Sequence, residues 1–247
     1  MQTTVPLTKL VKRTLVEQAV EHVQSYVHAQ NLKPGDILPS EMRFTEILGV
    51  SRPVVREALR TLAGRGVLTI TNGRNAMVSP VNASALIQFF DRATQLNAAS
   101  VIELLEVRLG IEVQSCALAA LRRDENDVLL LQQTLSDLEQ QRYSIDAYSM
   151  LDAQLHRRIA AASKNEMLSY FVESLSGGLQ MTSLVGLQHR RSREELDAVH
   201  GDHVTLVKTI IAGDCDGASR TMQHHVNSAI VAMRRNPTKP PLDVPLP

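Results

Sequence analysis

The hydrophobic positions near the start of the chain repeat with the 3.6-residue period of an amphipathic helix. Five residues share one face of a helix predicted over 14–29, namely Leu15, Ala19, Val23, Tyr26 and Val27. Two prolines and a glycine in LKPGDILP then end this helix. Two shorter helices are predicted next, EMRFTEIL with Ser40 as its N-cap and RPVVREALRTLAG with Ser51 as its N-cap.

The third of these helices combines a buried apolar face with an exposed row of arginines. The apolar set is Val55, Ala58, Leu59 and Leu62, and the basic row is Arg52, Arg56 and Arg60. Two short strands follow, VLTI and AMVS, joined around Asn72-Gly73, a dipeptide typical of hairpin turns. Helices, tight turn and hairpin together predict a winged helix-turn-helix over residues 13–80, whose second motif helix would lie in the major groove of DNA.

From position 82 onward the hydrophobic pattern is helical. Seven helices are predicted, over 83–96, 100–121, 124–141, 145–163, 165–188, 192–212 and 215–234. We therefore expect a mostly α-helical chain, with an all-α antiparallel bundle of about seven helices that occupies residues 99–236 after a connecting helix or linker at 81–98. Residues 1–12 are expected to form a flexible tail, and residues 237–247 a proline-rich tail.

The charge distribution also divides the chain. Over 247 residues, 26 Lys and Arg balance 26 Asp and Glu, a net charge that by itself would argue against nucleic-acid binding. Residues 1–80, however, hold 10 basic and 6 acidic residues, and the excess of +4 is offset by −4 in the remainder. This asymmetry favours two domains with different partners.

The cysteines and the apolar runs indicate a cytoplasmic protein. Cys116 and Cys215 lie far apart, which favours reduced thiols over a disulfide framework. The first residues lack the apolar run of a signal peptide, and no apolar run reaches the length of a membrane span. We therefore expect a cytoplasmic protein without a membrane partner.

The stretch from Leu32 to Pro80 resembles the DNA-binding domain of the GntR transcription regulators. The matching motifs are LP-S-E, GVSR-x-x-V-R-E-A-L-R-x-L, and a glycine with two apolar residues before the wing. In the FadR branch of that family, arginines of the SR-x-x-x-R segment contact the operator. The implied DNA contacts are Arg52 and Arg56, with Ser51 on a phosphate and Asn72 and Gly73 at the wing tip near the minor groove.

Two positions depart from the family pattern. Met42 stands where the family usually has an arginine that contacts DNA, and Arg43 follows it, rotated by about 100° around the helix. We expect Ser40 and Arg43 to contact DNA as well, with a changed target for Arg43. Asn75 replaces the second glycine of the wing. Both departures concern the operator sequence rather than DNA binding itself.

Four side chains in the helical region have the spacing of a metal site. Asp152 and His156 lie four residues apart, on one face of a helix. His203 and His225 each lie 11 residues from Asp214, in the turn of a helical hairpin. Both would then be about 16 Å from the turn and level with each other. One carboxylate and three imidazoles suit Zn²⁺, Ni²⁺ or Mn²⁺, whereas a pair exposed on a helix surface without a metal is the alternative interpretation.

This region resembles the FCD ligand-binding domain of the FadR branch. The segments LLEVRLGIE, D-x-x-x-H, a histidine ahead of an AGD turn, and A-x-x-x-M-x-x-H all match. Members that bind a metal use one Asp and three His at these positions, which implies Asp152, His156, His203 and His225 as ligands, with zinc the first expectation. His200 is the rival to His203, because an error of register would exchange them.

The resemblance also implies what such a metal holds. In the family the ion anchors a carboxylate-bearing effector, and an arginine of the V-R-x-x-x-E segment reaches the same molecule. That arginine is Arg108 here, and Glu112 lies four residues on, where it could orient Arg108. A surface salt bridge between Arg108 and Glu112 is the alternative.

These features predict a homodimeric transcription regulator, not an enzyme. The resemblance implies a repressor that binds a palindromic operator, and members with this longer helical domain often respond to small organic acids or sugar acids such as lactate, pyruvate, gluconate or galactonate. Two alternatives stay open. In one the metal ion is itself the signal; in the other the helical domain is a metal-dependent hydrolase, with Glu195 or Asp202 as its base.

Overall fold

The structure is a computed structural model that describes residues 13–71, 75–95, 101–190 and 192–234. Its contacts divide the chain into two units, with the boundary between Ala85 and Leu86. That boundary falls inside the segment 81–98, where the sequence predicts a connection between domains. Within the described ranges, none of the helices is both long and apolar enough to cross a membrane.

The first unit is a helix-turn-helix followed by a two-stranded hairpin. Its elements are α1 (Leu15–Ala29), α2 (Glu41–Leu48), α3 (Arg52–Gly64), β1 (Leu68–Thr69) and β2 (Met77–Val78). The strands are antiparallel, with Leu68 opposite Val78. The order of these elements confirms the expected winged helix-turn-helix.

Polar caps determine where the first two helices begin. The Thr14 hydroxyl accepts a hydrogen bond from the Glu17 backbone, and the Glu17 carboxylate accepts one from the Thr14 backbone. Such a capping box contributes about 1 kcal/mol. The Ser40 hydroxyl caps α2 as predicted, accepting from the backbone N–H three residues on at 3.2 Å.

The turn between α2 and α3 depends on a glycine. Gly49 adopts φ 63°, the left-handed conformation that ends α2. Ser51 occupies the N-cap position of α3, as predicted, but within the described part of the chain its hydroxyl makes no capping hydrogen bond. Pro53 lacks one of the two N–H groups that an N-cap side chain can bind, and the other, on Val54, donates to the Ser51 carbonyl at 3.1 Å instead.

The core of the first unit lies between α1 and α3. The predicted apolar face of α3 is buried, consisting of Val55, Ala58, Leu59 and Leu62. On α1 the prediction was wrong for Leu15, which is 57% exposed. Ala19, Val23 and Val27 are buried as predicted, and Val16 and Val20 pack into the same core at the start of α1 in place of Leu15.

The remaining described chain is helical, in eight segments. They are α4 (Ser84–Gln95), α5 (Val101–Arg122), α6 (Glu125–Gln140), α7 (Ile145–Ala162), α8 (Glu166–Ser174), α9 (Ser176–Gln188), α10 (Arg193–Ala212) and α11 (Cys215–Arg234). This confirms the all-α architecture, with one helix more than the seven predicted.

The additional helix arises because the segment predicted as one helix over 165–188 is broken at Leu175. Leu175 has φ −92° and ψ 6°, which interrupts the regular helix, so that α8 ends at Ser174 and α9 begins at Ser176. Gly178 then lies so close to α5 that a Cβ atom would be 2.9 Å from Leu104 Cδ2. The glycine therefore allows α9 to pack directly on α5.

The last two helices pack against each other on either side of a turn at Gly213, which adopts φ 77°. Leu206 of α10 and Val226 of α11 are buried in the main apolar cluster, together with Cys116 of α5. Cys116 and Cys215 are both free thiols, as predicted. This packing brings the middle of α10 and the middle of α11 together beside α5 and α7.

Candidate functional site

Four buried side chains from three helices converge inside the helical unit. Asp152 and His156 come from α7, His203 from α10 and His225 from α11. One potential ligand atom from each lies within 4.8 Å of the others. Two donors of a single zinc ion, each at about 2.0–2.2 Å, are at most about 4.4 Å apart. In tetrahedral coordination the donors would be about 3.3–3.6 Å apart, so side-chain movements of about 1 Å would let the four residues hold one ion.

The helical geometry explains why these residues meet. Asp152 and His156 are one turn apart on α7, so they share a face. The hairpin of α10 and α11 places His203 and His225 level with each other, with ring centroids 4.6 Å apart. That juxtaposition is the one predicted from their equal distance to the turn. His156 completes the cluster, 5.5 Å from the His225 ring.

The facing atoms of the cluster lack hydrogen-bond partners. Asp152 Oδ1 lies 2.8 Å from His203 Nε2 and 3.5 Å from His156 Nε2. Despite these distances, none of the three atoms has a hydrogen-bond partner within the described residues. Buried polar atoms are seldom left unpaired, because each costs about 1–3 kcal/mol. Buried polar atoms that face one another without hydrogen bonds among them fit a bound cation.

A second carboxylate lies behind the cluster. Glu112 of α5 contacts His156 Nδ1 through Oε2 and accepts a hydrogen bond from Arg108 Nε through Oε1 at 2.7 Å. Both side chains of the Arg108–Glu112 pair are 3% exposed, so the surface salt bridge considered as the alternative is wrong. Arg108 also donates from Nη1 to the Thr182 hydroxyl. The pair is a buried link between α5, α7 and α9.

The electrostatics of the cluster follow from burial and from these contacts. Burial opposes the charge of Glu112, but Arg108 and His156 outweigh it and lower the pKa of Glu112 to about 2. Burial likewise opposes the charge of His156, yet Glu112 and Asp152 raise its pKa to about 9. For His225 burial prevails, and its pKa falls to about 4.

Tyr148 and His200 extend the cluster toward the protein surface. The Tyr148 hydroxyl lies 2.9 Å from His203 Nδ1 and 3.2 Å from His200 Nδ1. His200 Nε2 lies 2.7 Å from Glu139 Oε2. Both nitrogens of His200 thus face groups outside the cluster, and His203 is the residue of α10 that stands beside Asp152. Burial raises the pKa of Tyr148 well above its usual range, so the hydroxyl keeps its proton.

A small cavity opens beside the cluster. Asp152 and His225 line it together with Arg108, Thr182 and Arg190. The cavity volume, taken as the space that the centre of a water molecule can occupy, is ≈ 30 Å³. At about 10–15 Å³ for each water, this is room for roughly two. A larger molecule could enter only if lining side chains moved apart.

Arg190 was not predicted from the sequence. It follows α9, lines the cavity and donates from Nη2 to the Ser228 hydroxyl at 3.0 Å. An arginine in a short connection between two helices carries no periodic signal, so the sequence offered no sign of its position.

The predicted DNA contacts lie on the first unit, apart from this cluster in the chain. Arg52, Arg56 and Arg60 are exposed along α3, as predicted. Arg56 lies 3.3 Å from Glu41, with its side chain still 55% exposed. Such a surface pair is weak, about 0–1 kcal/mol, and would yield readily to a phosphate or a base.

The other candidate DNA contacts have different surroundings. Arg43 pairs with Glu46 at 2.9 Å on the surface of α2. Ser40 is engaged as a helix cap, whereas Ser51 is exposed at the start of α3. Asn72 and Gly73 lie outside the described residues, so the contacts at the wing tip remain predictions.

Comparison with known proteins matches both units. The profile of the family "Bacterial regulatory proteins, gntR family" matches residues 15–78, and that of the "FCD domain" matches residues 103–228. The Glc operon transcriptional activator of Escherichia coli (strain K12) is 29% identical over 230 residues, 88% of each chain. The transcriptional repressor NanR of Salmonella newport (strain SL254) is 25% identical over 222 residues, 89% of this chain and 85% of that protein.

A solved structure agrees at the level of the fold. Streptococcus agalactiae GntR, 23% identical, superposes with a TM-score of 0.65 over 88% of this chain and 99% of its own. The relatives are transcription regulators, which confirms the expectation of a protein that is not an enzyme. With about half of the chain matching the FCD profile and most of the first unit matching the GntR profile, the protein belongs to the GntR family of transcription regulators and carries an FCD domain.

Proposed function

We propose that this regulator binds a palindromic operator as a homodimer and represses transcription until a small carboxylate metabolite binds beside a divalent metal in its helical domain. The observation that carries the proposal is the buried Asp152, His156, His203 and His225 cluster, whose unpaired atoms face one another next to a cavity lined by Arg108. The metal is proposed to be zinc, with nickel and manganese as the alternatives.

Asp152, His156, His203 and His225 would hold the metal. When bound, a divalent ion would supply positive charge and open coordination positions for ligand oxygens. The chain's own residues account for the selectivity. Asp152 neutralises part of the ion's charge, and the surrounding apolar residues exclude water, which strengthens the attraction for an anion.

Arg108 is proposed to bind the metabolite carboxylate. Its guanidinium is fixed by Glu112 at Nε and by Thr182 at Nη1, so little conformational entropy remains to be lost on binding. A planar fork of donors suits a carboxylate. Arg190, on the same cavity wall, adds a second positive charge and favours organic acids or sugar acids over neutral sugars.

On the DNA side, Arg52 and Arg56 of α3 are proposed to read base edges, with Ser51 on a phosphate. Ser40 and Arg43 at α2, and Asn72 and Gly73 at the wing tip, are proposed as additional contacts. The phosphate contacts would make the affinity salt-dependent, and the arginines would supply the specificity. Effector binding releases the operator only if the DNA-bound arrangement has lower affinity for the effector.

The test is operator binding measured by fluorescence anisotropy. An operator is first selected from random duplex DNA with the metal-loaded protein. Binding is then measured for chelator-treated protein, for protein with zinc, and for protein with zinc plus hydroxy acids, keto acids or sugar acids. We expect one of the acids to weaken binding only when zinc is present. If zinc alone switches operator affinity and no acid acts, the metal is the signal and the proposed effector is wrong.

A further inference from the structure

A continuous line of polar contacts joins the cluster to the protein surface. It begins at the Glu139 carboxylate, whose side chain is 55% exposed, and passes to His200 Nε2 over 2.7 Å. It continues from His200 Nδ1 to the Tyr148 hydroxyl over 3.2 Å and from there to His203 Nδ1 over 2.9 Å. The chain ends at His203 Nε2, the atom that faces Asp152 Oδ1.

The protons that each group can carry determine which group donates and which accepts in each of these contacts. A carboxylate only accepts hydrogen bonds, so His200 must carry its proton on Nε2, facing Glu139. Burial together with the nearby Arg142 lowers the pKa of His200, which keeps the ring neutral and leaves its Nδ1 as an acceptor. The Tyr148 hydroxyl therefore donates its single proton to His200. Its oxygen then accepts from His203, whose proton must be on Nδ1.

On this basis, and resting on the proposed metal site, we propose that Tyr148, His200 and Glu139 act as positioning residues that hold His203 as its Nδ1–H tautomer. The tautomer leaves a bare lone pair on Nε2, aimed at the centre of the cluster. Metal-binding histidines commonly have their second nitrogen fixed in this way by an outer partner. Here the outer partner is a three-residue relay that reaches the surface.

The relay bears on the contact between His203 and Asp152. With a proton on Nδ1, His203 Nε2 and Asp152 Oδ1 are both acceptors, held 2.8 Å apart without a hydrogen bond between them. Two acceptors at that distance repel each other unless a cation lies between them. If Tyr148 did not hold the proton on Nδ1, His203 could turn to its other tautomer and donate from Nε2 to Asp152. That hydrogen bond would compete with metal binding.

The tautomer of His203 can be determined on metal-free protein. Long-range ¹H–¹⁵N spectra of chelator-treated protein labelled with ¹⁵N-histidine identify the protonated nitrogen of each ring at neutral pH, and His203→Asn assigns the His203 signals. We expect wild-type His203 to carry its proton on Nδ1 and His200 on Nε2. A wild-type His203 protonated on Nε2 instead would overturn the relay, whatever the metal affinity.

Zinc affinity, measured by competition with a chromophoric chelator, provides the second readout. Tyr148→Phe removes the central hydroxyl and should weaken zinc binding by about 10–100-fold, the usual loss for an outer partner. The matched control is Tyr143→Phe, because the Tyr143 hydroxyl binds Asp197 and makes none of the three contacts of the relay. Glu139→Gln changes a group that is 55% exposed and that also pairs with Arg142, so it should fold normally and weaken zinc binding by a smaller factor.

Equal zinc affinity for Tyr148→Phe and Tyr143→Phe, with an unchanged His203 tautomer, would refute the proposal. If Tyr148→Phe fails to fold, the wild-type tautomer and Glu139→Gln still decide it. A failure of the proposed function would give a different experimental result. Wild-type protein that takes up no divalent metal would refute the metal site, while the spectra of the same protein would still confirm or overturn the relay.

Discussion

Replacing Glu112 by Gln tests how strongly the buried charges of the helical domain depend on one another. The Glu112 carboxylate accepts from Arg108 Nε at 2.7 Å and contacts His156 Nδ1, and its side chain is only 3% exposed. Glutamine has nearly the same shape but no charge. Arg108 would then remain charged and buried, with a neutral amide and the Thr182 hydroxyl as partners.

The expected loss is large because the partners are out of water. Removing one member of a buried ion pair costs about 3–5 kcal/mol. Since the glutamine oxygen can still accept one hydrogen bond, we take the lower end, about 3 kcal/mol. At about 2–4 °C for each kcal/mol in a chain of this size, the melting temperature of the helical domain should fall by about 6–12 °C.

The matched control is Glu106→Gln on the same helix. Glu106 pairs with Arg234 at 3.4 Å, but the two side chains are 55% and 61% exposed. Such a pair contributes about 0–1 kcal/mol. The assay is urea unfolding of the chelator-treated protein, followed by circular dichroism at 222 nm. If the two variants differ by less than about 1 kcal/mol, the reasoning from buried charge is wrong.

Three further outcomes are expected. Arg56→Ala should weaken specific operator binding by about 10–100-fold, as measured by anisotropy, with zinc content unchanged. The control Arg65→Ala, at the far end of α3, should have little effect. Equal losses in the two variants would contradict the assignment of Arg56 as a DNA contact. His203→Ala should reduce zinc bound per subunit, measured by elemental analysis of dialysed protein, by more than the exposed control His224→Ala, and full zinc content would refute the ligand assignment. Arg108→Gln should retain zinc but shift the effector concentration for half-release of the operator by about 10–100-fold, and an unshifted titration would place the carboxylate elsewhere.

The fold was predictable where local periodicity decides it. The buried face of α3 was predicted correctly because all its apolar residues face a single core. Leu15 was assigned wrongly because it stands at the first position of α1, where periodicity does not show whether a neighbour covers the face. The break at Leu175 is also not encoded locally. Three residues later Gly178 meets Leu104, a residue more than 70 positions earlier, and local periodicity does not show this contact.

The positions of the four clustered residues were also predictable from local patterns in the sequence. Asp152 and His156 follow from helical spacing, and His203 and His225 follow from their equal distance to one turn. The contacts made by Glu112 and Tyr148 could not be predicted, because they depend on how α5, α7 and α10 rotate against one another. Sequence placed Glu112 beside Arg108 but gave no sign that its second oxygen reaches His156 on another helix.

The position of α9 has a consequence for how such regulators diversify in evolution. It supplies Thr182 and neighbouring parts of the cavity wall, yet none of the four clustered residues lies on it. Substitutions along this helix can therefore change the shape or the polarity of the cavity without disturbing Asp152 or the three histidines. A gene duplicate could acquire a new chemical signal through changes confined to one short segment, while the four clustered residues and α3 stay as inherited.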